Sequence, residues 1–242
     1  MSAVAGAIAL TAVLLGTPAY AATEQIRLNF DAAPAGQPPA GPWTTGCFAD
    51  AAAPADNACI SVAAGGSIAR VQRPSGATTS PAIKFPAGTA KAVLTIPHAA
   101  YLNPGTADFT VSAIVNLTAA ERSPGANIVQ KGVFSTAGGQ WKLQVDNGVP
   151  SCRIAGVRSG VAVSAIVAWS GSIADQGWKF IQCKRRGAVL SISVANATAV
   201  NSPDDATMDI SNTAKVTVGA KGTGTSNDQF HGALDNVIFS VG

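Results

Sequence analysis

The alternation of apolar and polar residues restricts the fold of this chain more than any other feature. From Phe109 to Leu117 every odd position is apolar, and among the even positions only Ile114 is. A period of two indicates a β-strand with one buried face, because successive side chains of a strand point to opposite faces. The spacing of Trp141, Leu143 and Val145 repeats this period and predicts another strand.

Turn signals join the predicted strands into hairpins. The strand ending at Val145 runs into Asp146-Asn147-Gly148, and Asn-Gly after an alternating strand is a strong hairpin signal, so the return strand should include residues 149–154. A second hairpin is predicted between residues 178–183 and 188–194. Further strands are expected at 26–30, 60–62, 92–96, 127–130, 215–218 and 229–241.

The composition agrees with many short strands and excludes several other classes. The 242 residues include 25 Gly and 14 Pro, which argues against helical bundles and coiled coils. A hydrophobic share of 47% excludes a disordered chain, and a net charge of +3 is too weak to indicate a nucleic-acid or anionic-membrane partner. We therefore predict an all-β fold, a two-sheet antiparallel β-sandwich, with one domain over residues 22–242.

The N-terminal segment has the character of a secretory signal peptide. Residues 1–22 carry no charged side chain, and the apolar stretch from Val4 to Leu15 is followed by the small residues Ala19 and Ala21. This pattern predicts cleavage after residue 21, a secreted, extracellular protein and no membrane contact after cleavage. The alternative is a retained anchor, although the apolar stretch is shorter than the ~20 residues of a spanning helix.

Four cysteines in an exported chain indicate two disulfides. Sequence alone allows three pairings. Locality favours Cys47 with Cys59, and Cys152 with Cys183 would then join two predicted strands. A zinc site is disfavoured because no cysteine pair has the short spacing of zinc ligands.

Several segments resemble the laminin G-like family. These are residues 96–111, 139–145, Cys152-Arg153, Trp178, Cys183 and 230–237. More closely, they are similar to the bacterial secreted branch of these concanavalin A-like jelly rolls. The resemblance covers roughly residues 80–242. It implies a jelly roll, pairing of Cys152 with Cys183, and terminal strands that lie side by side.

The acidic residues do not form a recognisable catalytic pattern. Glycosidases require two carboxyl groups facing one sugar, and on this fold the hydrolases usually carry Glu-x-Asp-x-Glu runs along one strand. The two glutamates, Glu24 and Glu121, lie far apart at the expected N-terminus and in a turn. Tyr101 and His98, the nearest approach to a lyase base, fall in a turn before a strand. We therefore expect no catalytic residues.

Asp235 requires an explanation because it shares the alternation phase of Val237, Phe239 and Val241. A carboxylate in an apolar row needs a partner. The resemblance places Asp31 nearby, and the pair suggests a structural calcium ion. The alternative is that Asp235 accepts hydrogen bonds from backbone N–H groups.

A binding or adhesion function fits these features better than catalysis. Trp43 and Trp169 lie in loop-like sequence and are the candidates for stacking on a sugar ring. The basic run at residues 184–186 is interpreted as a solvated hairpin tip. We predict a secreted, non-catalytic module that recognises extracellular or cell-wall carbohydrate. The alternatives are a polysaccharide-degrading hydrolase or lyase and a self-associating structural protein.

Overall fold

The structure, a computed structural model, describes residues 22–242. The predicted signal peptide, residues 1–21, lies outside the described residues. No helix within 22–242 combines the length and apolar character needed to cross a bilayer.

Residues 22–242 form sixteen β-strands and two single-turn 3-10 helices, at Ala100–Leu102 and Ala119–Glu121. The strands, in chain order, are β1 (Thr23–Leu28), β2 (Cys47–Phe48), β3 (Ala58–Ala63), β4 (Ala69–Ser75), β5 (Thr78–Lys84), β6 (Lys91–Ile96), β7 (Phe109–Asn116), β8 (Ala126–Lys131), β9 (Gln140–Asp146), β10 (Val149–Arg158), β11 (Val161–Ala168), β12 (Lys179–Arg186), β13 (Val189–Val194), β14 (Val200–Asn201), β15 (Val216–Val218) and β16 (Ala233–Val241).

The strands form two antiparallel sheets of eight strands each. The first sheet has the order β14-β13-β12-β7-β16-β5-β4, and β1 also pairs with β16. The second sheet has the order β11-β10-β9-β8-β15-β6-β3-β2. The predicted all-β sandwich is confirmed, and so is the expected pairing of the terminal strands β1 and β16.

The core lies between the two sheets and is filled by the inward rows of the alternating strands. Trp141 of the second sheet stacks on Phe239 of the first, with ring centroids 4.3 Å apart and planes 8° apart. The inward-facing residues of β7, from Phe109 to Val115, are also buried. These contacts explain the period of two in the sequence, since each inward side chain meets the opposite sheet.

Both predicted disulfides are present. Cys47 and Cys59 face each other across β2 and β3, whereas Cys152 on β10 bonds to Cys183 on β12 and so links the two sheets. The Asn-Gly hairpin is confirmed as well, because Asn147 and Gly148 both have positive φ, 52° and 88°.

The structure corrects the interpretation of residues 184–186 as a solvated hairpin tip. Strand β12 continues through Arg186, and Arg185 is 1% exposed with its side chain turned inward. Its guanidinium donates hydrogen bonds to the carbonyls of Gly105 (2.8 Å), Ala107 (3.1 Å) and Met208 (2.9 Å). Arg185 is therefore a buried structural residue rather than part of a solvated turn.

Candidate ligand-binding groove

The outer face of the second sheet is lined by polar side chains. On β9, Trp141, Leu143 and Val145 face the core, so Gln140, Lys142 and Gln144 face outward. These three outward side chains are nevertheless at most 8% exposed. The outer face must therefore be covered in part by neighbouring segments.

Strand register places three of these polar residues in one row across the sheet. Gln130 on β8 is the partner of Lys142 on β9, and Lys142 is in turn the partner of Arg153 on β10. Side chains directly opposite each other on neighbouring strands are close enough to interact. The row therefore brings an amide and two cations together.

A cavity of about 590 Å³ lies over this row. Its floor is the outer face of β8, β9 and β10, one wall is the loop of residues 132–139, and the other wall contains Lys221 and Asp228. We call this cavity the groove. Its lining is Gly125, Gln130, Val133, Phe134, Ser135, Gln140, Lys142, Gln144, Arg153, Lys221 and Asp228.

An aromatic ring and a guanidinium meet at the loop side of the groove. Phe134 is 64% exposed, and the guanidinium carbon of Arg153 lies 4.6 Å from its ring centroid. A cation over an aromatic face at this distance is attracted by the ring's quadrupole. The contact holds Arg153 in place while much of the Phe134 ring stays accessible.

The opposite wall is held by ion pairs. Asp228 lies 3.5 Å from the Lys142 ammonium and 2.6 Å from that of Lys221. Burial lowers the pKa of Lys142, and the carboxylates of Asp228 and Asp146 oppose that shift. Burial also raises the pKa of Asp146, at the end of β9, with Lys142 opposing. The Asp228 carboxylate thus pairs with two ammonium groups.

Buried polar atoms without a hydrogen-bond partner concentrate on this face. Within residues 22–242 they include Gln130 Oε1 and Arg153 Nε of the groove itself. Further atoms of this kind belong to its neighbours Asn127, Asp146, Ser151 and Thr217. Buried polar groups are normally paired, and unpaired ones often occur where a protein binds water, an ion or a ligand.

The loop that carries Phe134 is anchored at its base. Lys131 donates from its ammonium to the backbone carbonyl (2.7 Å) and side-chain oxygen (2.8 Å) of Asn212. Asn212 in turn donates from Nδ2 to the Gly139 carbonyl at 2.9 Å. Burial lowers the pKa of Lys131 to about 8. This clamp fixes both ends of the loop and so positions Phe134.

A second cavity of about 440 Å³ lies on the far side of the same loop and shares Phe134 and Ser135 with the groove. Its floor is made of small residues, among them Ala155, Gly156 and Ala162 of β10 and β11. Phe134 therefore separates a polar cavity from a more apolar one.

Comparison with known families agrees with this architecture. A family model described as the concanavalin A-like lectin/glucanases superfamily, in its laminin G branch, matches residues 88–240. The chain belongs to this superfamily. The match confirms the family resemblance, and it includes β7 to β13 and therefore the groove floor. No curated protein matches the sequence.

Solved structures of similar fold include toxin binding domains. The binding domain of Paraclostridial Mosquitocidal Protein 1 superposes with a TM-score of 0.58 at 14% identity over 90% of this chain and 48% of that one. The binding domain of botulinum neurotoxin DC, in complex with SialylT, gives 0.55 at 11% identity over 90% and 47%. A structure of botulinum neurotoxin type C, whose cell entry depends on interaction with two ganglioside molecules, gives 0.54 at 10% identity over 90% and 47%. The chain spans about half the length of these proteins.

Neither of the two tryptophans selected from the sequence lines the groove. Trp43 is 1% exposed, donates from its indole N–H to the Pro38 carbonyl at 2.7 Å and packs edge-on against Phe48. Trp43 is thus a core residue and does not present its ring to a ligand. Trp169 is half-buried against the core and lines neither cavity beside Phe134.

Asp235 does not share the apolar row as the alternation suggested. Asn236 has a φ of 47° and the register shifts between Asp235 and Ile238, so a β-bulge reverses the phase of the strand. Leu234, Val237 and Phe239 face the core, and Asp235 lies beside Ile114 on the other face. The predicted phase was wrong because alternation cannot reveal a bulge.

The partner of Asp235 is an arginine. Asp235 is fully buried and accepts a 2.6 Å hydrogen bond from Arg73 Nε, and its other oxygen accepts from the backbone N–H of Asn236 at 2.7 Å. Burial raises the pKa of Asp235, with Arg73 opposing. Asp31 is exposed.

These contacts do not fit the predicted calcium site of Asp31 and Asp235. Both carboxylate oxygens of Asp235 already accept hydrogen bonds, and residues 22–242 contain no group of three or more His, Cys, Asp or Glu side chains placed to hold a metal. The geometry favours an arginine–aspartate pair, and the calcium hypothesis stays a prediction that thermal unfolding with Ca²⁺ and with EDTA would decide.

The two glutamates form ion pairs outside the groove. Glu24 lies in β1, where it pairs with Arg27, and Glu121 pairs with Lys84. Neither residue lines the groove.

The groove was not predicted from the sequence, although the alternation on β9 indicates part of its floor. The outward phase of β9, Gln140, Lys142 and Gln144, is fixed by the same alternation that identified its inward phase. What the sequence could not show is which loops rise over this face, because that depends on the packing of residues 132–139 and 221–228.

Proposed function

We propose that this chain is a carbohydrate-binding module and that its ligand occupies the groove on the second sheet. The observation that carries the proposal is the combination of an exposed aromatic ring, Phe134, with a floor of amide and charged side chains. A sugar ring has an apolar face that can stack on an aromatic ring and hydroxyls that need donors and acceptors.

The groove supplies both kinds of contact. Gln130, Gln140 and Gln144 offer amide oxygens and N–H groups, and Lys142 and Arg153 offer charged donors.

The structural neighbours also support a glycan ligand. One was solved in complex with SialylT and another belongs to a toxin that interacts with gangliosides. At 10–14% identity they establish a shared fold only, so the glycan function of this chain depends on its own groove.

The proposal includes export of the module and an adhesive role at extracellular or cell-wall polymers. Two disulfides support an oxidising compartment, because such bonds do not persist in a reducing cytosol. The signal peptide predicted at residues 1–21 would provide the route.

Glycan-array binding of residues 22–242 tests the proposal. Phe134→Ala should weaken binding about tenfold or more, since it removes the stacking surface. Phe180→Ala is the matched control, because Phe180 is 38% exposed on the outer face of the first sheet. Equal binding by the wild type and Phe134→Ala, or loss in Phe180→Ala alone, would contradict the groove assignment.

Polysaccharide degradation on the same sandwich remains the second candidate. Asp228 is the one carboxylate in the groove lining, and it is ion-paired to two lysines, which disfavours a free acid–base pair. Product analysis alongside the array would detect turnover, and turnover would replace the binding-module proposal with an enzyme.

A further inference from the structure

We infer that the groove selects carboxylated sugars, such as uronates or sialates, and that Arg153 receives the carboxylate. This inference rests on the proposed carbohydrate function and specifies its ligand class. It is based on the charges of the groove lining, on the position of Arg153 and on the unfavourable placement of Arg153 directly opposite Lys142.

The lining of the groove is unbalanced in charge. It contains three cations, Lys142, Arg153 and Lys221, and one carboxylate, Asp228. Asp146 lies next to the groove, outside its lining, and accepts a hydrogen bond from Gln144. An anionic ligand group would correct this imbalance.

Arg153 is the cation that has no carboxylate partner. Both lysines contact Asp228, whereas Arg153 makes no ion pair within residues 22–242 and its Nε has no hydrogen-bond partner there. Its guanidinium instead makes the cation–π contact with Phe134. A guanidinium held against a ring is a preorganised fork, which suits the two oxygens of a carboxylate.

The strand register makes this arrangement unfavourable without a ligand. Arg153 and Lys142 are directly opposite each other on β10 and β9, and like charges in such a pair destabilise a sheet. Lys142 is 8% exposed and pairs with Asp228 at 3.5 Å, so Arg153 is the member of this cross-strand pair that lacks a carboxylate among residues 22–242. Departures from local stability rules are expected at functional sites. A carboxylate beside Arg153 would relieve the repulsion.

The neighbouring groups fit the remainder of an acidic sugar. Gln130 lies in the same cross-strand row as Arg153, one strand beyond Lys142. The Gln130 side chain lines the same cavity and supplies an amide for a hydroxyl, and the exposed Phe134 can cover an apolar sugar face. The carboxylate, one hydroxyl and one ring face would thus each have a contact.

Matched glycans that differ in charge alone test the inference. The probes are oligogalacturonate with its methyl ester, and sialyllactose with lactose, measured by calorimetry on the disulfide-intact protein. The acidic member of at least one pair should bind tenfold or more tightly, as expected of a charge-assisted hydrogen-bonded pair.

Variants assign the effect to Arg153. Arg153→Gln should abolish the preference for the acidic member, so that the two members of a pair bind with equal affinity. Arg153→Lys should recover only part of it, because an ammonium lacks the planar fork. Lys184→Gln, which removes a cation from the outer face of the first sheet, should have no effect. Arg153→Gln should also unfold no more easily than wild type, since it removes a like-charge contact.

The outcomes separate the two proposals. Equal affinity for acidic and neutral members, with sensitivity to Phe134→Ala, would overturn the carboxylate inference and keep the carbohydrate function. A preference for the acidic member that persists in Arg153→Gln would overturn the role of Arg153. Binding of no glycan in either pair or on the array would overturn both.

Discussion

Buried charges are paired differently on the outer faces of the two sheets. On the first sheet, Asp235 is fully buried and both of its carboxylate oxygens have donors, from Arg73 and Asn236. On the second sheet, the cations Lys142 and Arg153 face each other, and Arg153 has no carboxylate partner within residues 22–242. Charge on the first face is neutralised within the protein, whereas on the second face Asp228 pairs with Lys142 and leaves Arg153 without a carboxylate among the described residues.

Two arginines illustrate the same difference. Arg185 donates to three backbone carbonyls and ties β12 to the segments around Gly105 and Met208. Arg153 makes no such bond and contacts an exposed phenylalanine. A satisfied arginine stabilises the fold, and an unsatisfied one at a cavity is suited to binding.

The largest expected effect is the loss of Arg73. Arg73→Met leaves the buried carboxylate of Asp235 without its cation and should lower the free energy of unfolding by about 3 to 5 kcal/mol. Urea denaturation measures this. The double variant Arg73→Met/Asp235→Leu should recover most of the loss, because neither charge remains. A loss below about 1 kcal/mol in the single variant would show that the pair is not critical.

A smaller loss is expected at Arg185. Arg185→Met removes a charged donor from the carbonyls of Gly105, Ala107 and Met208 and should cost about 2 to 4 kcal/mol in the same assay. Its neighbour provides the control: Arg186 is 47% exposed in its side chain, and Arg186→Met should change stability by no more than about 0.5 kcal/mol. Equal effects of the two substitutions would mean that Arg185 is hydrated rather than bonded.

A third expected effect is a pH dependence of stability at the base of the Phe134 loop. The pKa of Lys131 is about 8 in the folded protein and about 10.4 in an unfolded chain. Between these values the unfolded chain binds the extra proton, so stability should rise with pH from about 8 to about 10. The stability difference between wild type and Lys131→Met, measured by urea denaturation, should grow over this range. A difference that does not vary with pH would contradict the shift.

The sequence predicted the sandwich because its determinants are local. Alternation on β7 and β9, the Asn147-Gly148 turn and the cysteine spacing each depend on a few neighbouring residues. The hairpin of β4 and β5 was missed because it is largely polar or half-exposed and contains Pro74 and Pro81, which lack backbone donors.

The candidate site could not be predicted in this way, since it is assembled from distant segments. Gln130, Lys142 and Arg153 become neighbours only through strand register, and Asp228 reaches them from a loop much later in the chain. The bulge at Asn236 is a further non-local effect, because it reversed the face on which Asp235 was expected.

One pair of substitutions tests the different roles of the two faces most directly. Arg73→Met and Arg153→Gln are each compared with wild type in unfolding free energy and, at a temperature where all three are folded, in oligogalacturonate affinity. We predict that Arg73→Met loses stability and keeps its affinity, and that Arg153→Gln keeps its stability and binds tenfold or more weakly. Loss of stability in Arg153→Gln with unchanged affinity would contradict the account.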